Sequence, residues 1–403
     1  MMRATRELVR QSRGNYRVSM TRLSSRTAIS PFLAMETARE AGLLVASGRT
    51  IARFDVGQPD GPAPKIALAA AASSLGSAIL GYTEALGLRP LRERLSRLYQ
   101  DRYGVEISPD RIVITTGSSG GFLLAFLALF ETGDRIAMAA PGYPPYRHIL
   151  TSLGMAAAIL EAGPEDRYQL TPEHIAQLAE TGPLAGVLVA SPANPTGTIL
   201  NKAALGALAE AAKKVGASLI VDEIYHGLNF SQAAPSILEV FQEAIVVSSF
   251  SKYFAMTGWR VGWLVLPERL VKPVERLAQN LFICPPHVSQ IAALAAMEAE
   301  AEMETRAGIY AKNRALILEA LPGLGIQHWA PADGAFYVYA DISALTNDSL
   351  DWCKRALHEA GVAMTAGVDF DSARGHHWVR IAYARSTREV AEGLERLNGW
   401  NGR

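Results

Sequence analysis

Residues 111–130 read "RIVITTGSSGGFLLAFLALF". The part "IVIT" is a short run of β-branched residues, which favours a strand. A turn rich in glycine and serine follows, and then an apolar run that is typical of a buried helix. The segment therefore predicts a strand, a tight turn and a helix in direct succession.

The strand and turn repeat five times further along the chain. Each repeat has four to seven apolar or β-branched residues that end on a polar or Gly/Pro turn, and helical patterns such as "NKAALGALAEAAKKVG" separate several of them. The five are "DRIAMAAPGYPPY", "GVLVASPANPTG", "SLIVDEIY", "AIVVSSFSK" and "VGWLVLP". Unbroken apolar strands that alternate with helices predict an α/β fold, in which helices cover both faces of a mostly parallel sheet.

Outside this block the pattern changes. After about Ile291 the chain becomes helical and rich in alanine, and two alternating strands follow, "GAFYVYADIS" and "HHWVRIAYA". We expect a large domain over residues 60–290 and a smaller α+β domain formed by residues 22–59 and 291–403. In residues 1–21 several arginines are opposed only by Glu7, so we expect a flexible solvated arm, with a transit segment as the alternative.

Composition narrows the functional classes. The chain has 39 basic and 39 acidic residues, so its formal net charge of +0 gives no signal for nucleic acid or an anionic membrane. Its 2 cysteines cannot form a disulfide framework and favour a reducing compartment. The longest apolar run, residues 122–130, is too short to span a bilayer. We expect a soluble cytoplasmic protein without nucleic-acid or membrane partners.

One lysine lies at the end of a predicted strand, where α/β sheets bind their ligands. Lys252 occurs in "SSFSKYFAMTGWRVGW" (residues 248–263), between Phe250 and Tyr253. A lone lysine is usually a solvated surface charge, but these aromatic neighbours favour a partly dry pocket. Burial makes a lysine lose its proton more readily, and the neutral amine can then form a Schiff base with a carbonyl group.

Three more polar residues follow predicted strands and suit a cofactor. A Schiff base stabilises carbanions well only beside an electron sink, which pyridoxal phosphate supplies. Asp222 ends the apolar strand "SLIVD", where a protonated pyridine nitrogen would offset the burial of its charge; capping of a nearby helix is the alternative. Asn194 and Tyr225 could donate hydrogen bonds to the phenolic oxygen of such a cofactor.

The turn "TTGSSGG" (residues 115–121) is a candidate phosphate site. It places Ser118 and Ser119 between a strand and the start of a helix, where free N–H groups and hydroxyls bind anions, although packing alone can also require such a turn. Ser249 and Arg260 flank Lys252 in the sequence, and a guanidinium group matches the geometry of phosphate.

Adjacent histidines raise the possibility of a metal site. His376 and His377 lie at the start of a predicted strand, so we expect their side chains to point to opposite faces. No cysteine or carboxylate cluster in the sequence completes such a site, and we therefore predict no metal.

Together these segments resemble the pyridoxal-phosphate aminotransferases of classes I and II, the aspartate-aminotransferase-like group of fold type I. The similarity runs from about Arg22 to the C-terminal end. The motifs that carry it, in family order, are "GQPDGPAP", "GYTEALGLRPLR", "TTGSSGG", "APGYPPY", "SPANPTG", "VDEIY", "SSFSKYFAMTGWRVGW" and "WVRIAYA".

The resemblance implies that pyridoxal 5'-phosphate is the cofactor and gives each candidate residue a role. Lys252 would form the Schiff base with the cofactor aldehyde, and Asp222 would pair with the pyridine nitrogen. Asn194 and Tyr225 would bind the phenolic oxygen, and Tyr143 would stack on the ring. The phosphate would be held by Ser118, Ser119, Ser249 and Arg260.

The resemblance also implies how substrate and partner subunit are bound. Arg380, in "WVRIAYA", would pair with the α-carboxylate of the substrate near Gly57 and Asn194. In an isolated strand the same arginine would instead extend its charge to solvent. Tyr82, in "GYTEALG", resembles the tyrosine that reaches the cofactor phosphate of a partner subunit, which implies a homodimer with shared sites.

The implied reaction is the ping-pong transfer of an amino group between an L-amino acid and a 2-oxo acid. Ser119 stands where some aspartate-specific relatives carry a basic residue, and Gln279 and Asn280 lie near the place of an arginine in others, so we expect a neutral or aromatic donor. The alternative is a lyase or synthase on the same cofactor, such as a C–S β-lyase. A non-catalytic module of a transcription regulator is disfavoured, since residues 1–21 cannot supply its DNA-binding domain.

Overall fold

A computed structural model describes residues 22–400, and these residues fold into three sheets surrounded by helices. The strands are β1 Ala52–Arg53, β2 Ile112–Thr115, β3 Arg135–Ala140, β4 Ala156–Glu161, β5 Gly186–Ala190, β6 Ser218–Asp222, β7 Ile245–Ser249, β8 Gly262–Val265, β9 Tyr337–Asp341, β10 Val362–Ala363, β11 Thr365–Ala366 and β12 Trp378–Ala382. The α-helices are α1 Leu33–Ala46, α2 Lys65–Ser77, α3 Arg89–Tyr103, α4 Gly117–Leu129, α5 Pro144–Leu153, α6 Pro172–Glu180, α7 Lys202–Lys214, α8 Glu268–Leu281, α9 His287–Ala296, α10 Glu300–Ala320, α11 Ser349–Arg355 and α12 Thr387–Gly399.

The largest sheet confirms the predicted α/β fold class. It has seven strands in the order β2-β8-β7-β6-β5-β3-β4; β8 pairs antiparallel with β2 and β7, and all the other pairs are parallel. Every residue of β2, β7 and β8 is buried, because helices cover both faces of the sheet. The register aligns Ala190 of β5 with Asp222 and Asp222 with Val247 of β7. The carboxyl ends of these three strands therefore form one edge.

The predicted helices are present and pack as their sequences suggest. α3 buries Leu91 and Leu95 and ends at Gly104, whose φ of 67° closes the helix in the left-handed conformation. α4 is apolar on all sides because it lies between strands β7 and β8 and the helices α5 and α8. Its N-terminus points to the same edge of the sheet as the polar residues that follow the strands.

Two smaller sheets are formed by the chain ends. β1 pairs with β10, and β9, β12 and β11 form an antiparallel sheet with β12 in the centre. The seven strands of the large sheet fall within residues 60–290 and the other five outside, while the division into two domains stays a prediction. The predicted arm, residues 1–21, lies outside the described residues. In residues 22–400, every helix is too short or too polar to cross a membrane.

Candidate active site

A cavity of about 250 Å³ lies beyond the carboxyl ends of β5, β6 and β7. Residues that lie far apart in the sequence meet there, from the loop after β1 to strand β12. The lining residues that the sequence predicted are Gly57, Ser118, Ser119, Tyr143, Asn194, Asp222, Tyr225, Lys252, Arg260 and Arg380. Most of the candidate residues thus belong to one cavity.

Lys252 is partly buried in this cavity and has an unusually acidic ammonium group. Its Nζ donates a hydrogen bond to the carbonyl oxygen of Gly57 over 2.6 Å. Burial, followed by the positive charges of Arg380 and Arg260, lowers the pKa of Lys252 to about 7 against the opposing effect of Asp222. A substantial fraction of the lysine is therefore a neutral amine near pH 7, which is the form that attacks a carbonyl carbon.

Asp222 places a buried carboxylate at the end of β6. Its Oδ2 accepts a hydrogen bond of 2.5 Å from the hydroxyl of Tyr146, and its Oδ1 accepts one of 3.0 Å from the amide of Ile224. Burial raises the pKa of Asp222 to about 6, although these hydrogen bonds and the charge of Lys252 oppose that change. Since both donors are neutral, the carboxylate suits a cationic group bound in the cavity, such as a protonated pyridine nitrogen.

Arg380 is a buried guanidinium group, only 2% exposed, that stacks between two aromatic rings. Its Cζ lies 4.5 Å from the ring centre of Tyr337 and 4.7 Å from that of Phe370. It donates to Asn194 Oδ1 over 3.0 Å, to the carbonyl of Asp55 over 2.7 Å and to Thr365 Oγ1 over 3.3 Å. All three acceptors are neutral, and Nε has no partner among the described residues, so the charge fits an anionic ligand group such as a carboxylate.

The N-terminus of α4 and Arg260 together form an anion-binding donor set. Gly117 has a φ of +75°, and a Cβ atom at this position would collide with the guanidinium of Arg260, which therefore lies against the first turn of the helix. The N-cap residue Thr116 makes no side-chain capping bond to this turn. Backbone N–H groups, the hydroxyls of Ser118 and Ser119 and the guanidinium are the donors that a phosphate group requires.

The remaining predicted residues surround the space between these charges. The Tyr225 hydroxyl is 2.7 Å from that of Tyr337. Asn194 uses its side-chain oxygen for Arg380, which leaves its NH₂ group to donate. Gly57 cannot carry a side chain, because a Cβ atom would overlap the Tyr337 hydroxyl. The ring of Tyr143 lies edge-on to Tyr146, with 5.1 Å between centres. These groups line the same cavity as Asp222 and Arg380, where Asn194 and Tyr225 offer polar groups for a phenolic oxygen.

Two predicted residues do not line the cavity of their own chain. The hydroxyl of Ser249 is 2.8 Å from that of Ser251 and donates to the carbonyl of Val261 over 2.9 Å, while Ser251 itself lines the cavity. Tyr82 is 82% exposed on the surface. Ser251 is therefore the better positioned of the two serines for a phosphate, and contact of Tyr82 with a cofactor would need a second subunit.

Several residues that line the cavity were not predicted from the sequence. Tyr337 faces the cavity from β9, and Tyr146 reaches Asp222 from α5. Phe32 and Met35 come from the start of α1. The "GYPPY" segment placed a second tyrosine near the cavity and so contained a signal for Tyr146. Nothing in the local sequence marks the α1 residues, because only the packing of the chain ends brings them to the cavity.

The expectation for the two adjacent histidines was wrong. His376 and His377 lie in a 3₁₀ turn, Gly375–His377, rather than on β12, and their ring centres are only 4.0 Å apart. A turn does not alternate its side chains as a strand does, so the rings share one side. Within residues 22–400, no group of three or more His, Cys, Asp or Glu side chains is placed to hold a metal ion.

Comparison with known proteins agrees with this geometry. Residues 49–397 match the family described as aminotransferase class I and II. A valine–pyruvate aminotransferase of Mycobacterium tuberculosis is 47% identical over 94% of this chain and 98% of its own length. A (5-formylfuran-3-yl)methyl phosphate transaminase of Methanocaldococcus jannaschii is 32% identical over 91% of this chain and 95% of its own length.

Solved structures show the same similarity. An aminotransferase from Mycobacterium tuberculosis superposes with a TM-score of 0.92 at 46% identity, over 94% of this chain and 99% of the other. An aspartate aminotransferase from Thermus thermophilus with maleate gives a TM-score of 0.88 at 31% identity, again over 94% of this chain and 99% of the other.

Proposed function

This chain belongs to the class I and II aminotransferases, and on that premise we propose that its amino donor is a neutral L-amino acid with an apolar side chain. The protein is an enzyme that transfers an amino group between an amino acid and a 2-oxo acid, with pyridoxal phosphate as its cofactor. The proposal concerns the donor, the roles of the residues and the assembly.

The distribution of charge in the cavity carries the proposal. Among the described residues, its lining contains three cations, Lys252, Arg260 and Arg380. If these hold the cofactor aldehyde, the cofactor phosphate and the substrate α-carboxylate, no lining cation of this chain remains for a second carboxylate. Phe32 and Met35 form an apolar part of the cavity wall. An apolar donor side chain fits this wall, and the relative named valine–pyruvate aminotransferase supports valine as the donor and pyruvate as the acceptor.

The residues present offer a binding group for each part of the cofactor. Asp222 would bind its ring nitrogen, and Tyr225 and Asn194 its phenolic oxygen. Its phosphate would be bound by Ser118, Ser119, Ser251 and Arg260. Pyridoxal phosphate, when bound, supplies an aldehyde for the amine and a ring that withdraws electrons from the α-carbon of the substrate.

Two side chains would act on the substrate itself. Arg380 would bind the α-carboxylate with its guanidinium fork and so fix the orientation of the α-carbon. Lys252 Nζ would accept the α-proton and return it, a role for which its pKa of about 7 is well matched at neutral pH. The carbonyl of Gly57, which accepts a hydrogen bond from Nζ here, holds the amine in the cavity that Asp222 and Arg380 also line.

We also propose a cytoplasmic homodimer. Exposed apolar side chains lie near Tyr82 along the chain, Leu75 and Ile79 before it, and the exposed Ile283 precedes Cys284, whose Sγ accepts a hydrogen bond from the amide of Thr83. A second copy would remove them from water, and Tyr82 could then reach the phosphate site of its partner. The proposed compartment rests on the two free cysteines. Light scattering should give about twice the chain mass of 43.4 kDa, and the mass of a single active chain would contradict shared sites.

A donor panel tests the proposed reaction. We expect the holoenzyme to use valine or alanine with pyruvate or 2-oxoglutarate, with a kcat/KM at least about 100-fold above that for aspartate, because a second carboxylate would be buried without a cation. Products identified by mass should be 2-oxo acids. A preference for aspartate would contradict the proposed donor, and ammonia release without an acceptor would indicate a lyase instead.

A further inference from the structure

The first turn of α1 lines the cavity and is capped by a residue distant in the sequence. Its N-cap residue, Phe32, makes no side-chain capping bond. Instead, the carboxylate of Asp369 accepts a hydrogen bond from the amide of Leu33 over 3.2 Å and one from the amide of Ala34 over 3.1 Å. A single side chain near the C-terminal end thus satisfies the start of a helix near the N-terminal end.

Little apolar packing holds this helix. Of its 14 residues, only Ala34 and Ala41 are buried, while Met35 and Leu43 are exposed. Helices in proteins are stabilised mainly by burial of an apolar face, which two alanines supply only weakly. The later turns have polar anchors of their own, such as the hydrogen bond of 2.7 Å between Glu40 Oε1 and His358 Nε2. Together with the edge-on contact of the Phe32 ring with Tyr143, at 5.9 Å between ring centres, the carboxylate of Asp369 therefore holds the first turn.

Asp369 is well suited to this task. It is only 2% exposed, and its charge faces the positive end of the α1 dipole. Its own carbonyl accepts a hydrogen bond of 2.5 Å from Arg147 Nη2, which fixes the segment that carries it. The next residue, Phe370, lies over the guanidinium of Arg380. The same short segment therefore supports both the α1 wall of the cavity and the arginine assigned to the substrate carboxylate.

We propose that Asp369 is a positioning residue for substrate selection. It holds the first turn of α1 so that Phe32 and Met35 form the wall against which the apolar side chain of the donor packs. Asp369 does not itself touch the substrate. The inference rests on the proposed function, since it takes the donor to be a neutral amino acid, and it concerns discrimination between a small and a branched apolar side chain.

The test compares Asp369→Ala with the wild-type holoenzyme for alanine and valine as donors. We expect amide hydrogen exchange in residues 33–38 to become about tenfold faster, because a helix cap is lost. KM for valine should rise about tenfold, KM for alanine less than about threefold, and kcat for each donor should stay within about twofold.

Asn201→Ala is the matched control, because Asn201 caps α7 through Ala204 on the outside of the large sheet. It should accelerate exchange at the start of α7 and leave both KM values unchanged.

Three outcomes would overturn this role of Asp369: unchanged exchange in residues 33–38, equal rises in KM for both donors, or a fall in kcat alone. If Asp369→Ala does not fold, Asp369→Asn provides the same comparison, since it keeps one acceptor and should shift exchange and KM in the same directions by smaller factors. A wild-type enzyme that turns over neither donor would overturn the proposed function and the selection role with it. Normal valine turnover with unchanged exchange in the variant would overturn the role of Asp369 alone.

Discussion

The cavity has two walls that the chain builds in different ways. The sheet wall, formed by Asn194, Asp222 and Lys252, follows three adjacent strands of one sheet, whose register is fixed by continuous backbone hydrogen bonds. The terminal wall, formed by Phe32, Met35 and Arg380, comes from both chain ends: side-chain contacts hold the start of α1, and Arg380 lies on β12, the centre strand of the small antiparallel sheet.

The difference between the walls suggests that the sheet wall serves the chemical step and the terminal wall serves the selection of the substrate. Residues of the sheet wall cannot move without disturbing the core of the large sheet, which suits groups that must meet a reacting atom within a fraction of an ångström. Residues of the terminal wall can move without unfolding that core. Substitutions in the sheet wall should therefore act mainly on kcat, and substitutions in the terminal wall mainly on KM.

The largest effect is expected at Lys252, in the sheet wall. Lys252→Ala removes the amine that would bond to the cofactor and move the α-proton, so kcat should fall at least about 10⁴-fold. The absorbance of the covalently bound cofactor should disappear as well. Lys272→Ala is the control, because Lys272 is an exposed lysine on α8 paired with Glu275. A Lys252→Ala enzyme with wild-type turnover would remove the assignment.

The pKa of Lys252 also predicts how the rate of covalent cofactor capture depends on pH. Its pKa of about 7 means that the neutral amine, which is the nucleophile, increases as pH rises through 7. Covalent capture of pyridoxal phosphate by the apoenzyme should therefore accelerate between about pH 6 and 8 and level off above. A rate that continued to rise to pH 10 would indicate an ordinary solvated lysine.

A smaller effect is expected at Arg380, in the terminal wall. Arg380→Lys keeps the positive charge but loses the planar fork that can bind both carboxylate oxygens and stack between Tyr337 and Phe370. We expect KM for the amino donor to rise about 100-fold with a smaller change in kcat, which steady-state kinetics would show. A fall in kcat with an unchanged KM would contradict the division between the two walls.

The sequence predicted the sheet wall better than the terminal wall, for a physical reason. Asp222 and Lys252 each follow a run of apolar residues, and a strand end is a local feature that can be recognised without the rest of the chain. Phe32 and Asp369 have no such local signal, since they meet only after both chain ends have packed against each other. Ser249 shows a further limit: the sequence placed it beside Lys252, but only the structure shows that Ser251 faces the cavity.

The smallest effect on turnover is expected for a substitution of Tyr146, which supports the sheet wall through its contact with Asp222. Its hydroxyl donates to Asp222 Oδ2, so Tyr146→Phe removes one hydrogen bond to a buried carboxylate while the ring can still pack against Phe122 and Tyr143. That bond lowers the pKa of Asp222, which burial raises to about 6. In the variant the pKa should therefore rise further.

A charged Asp222 should favour binding of the protonated cofactor ring, so the effect of Tyr146→Phe should depend on pH. As pH falls, affinity of the apoenzyme for pyridoxal phosphate should weaken when Asp222 gains its proton, and in the variant this weakening should begin about one pH unit higher. At pH 8, where the carboxylate is charged in both proteins, kcat should fall by about tenfold or less. Absorbance titrations between pH 5 and 8 measure the shift, and Tyr168→Phe is the control, because Tyr168 packs beside Trp378 and is not one of the two donors to the Asp222 carboxylate. An identical pH dependence in Tyr146→Phe and wild type would mean that the sheet positions Asp222 and sets its charge without help from this hydroxyl.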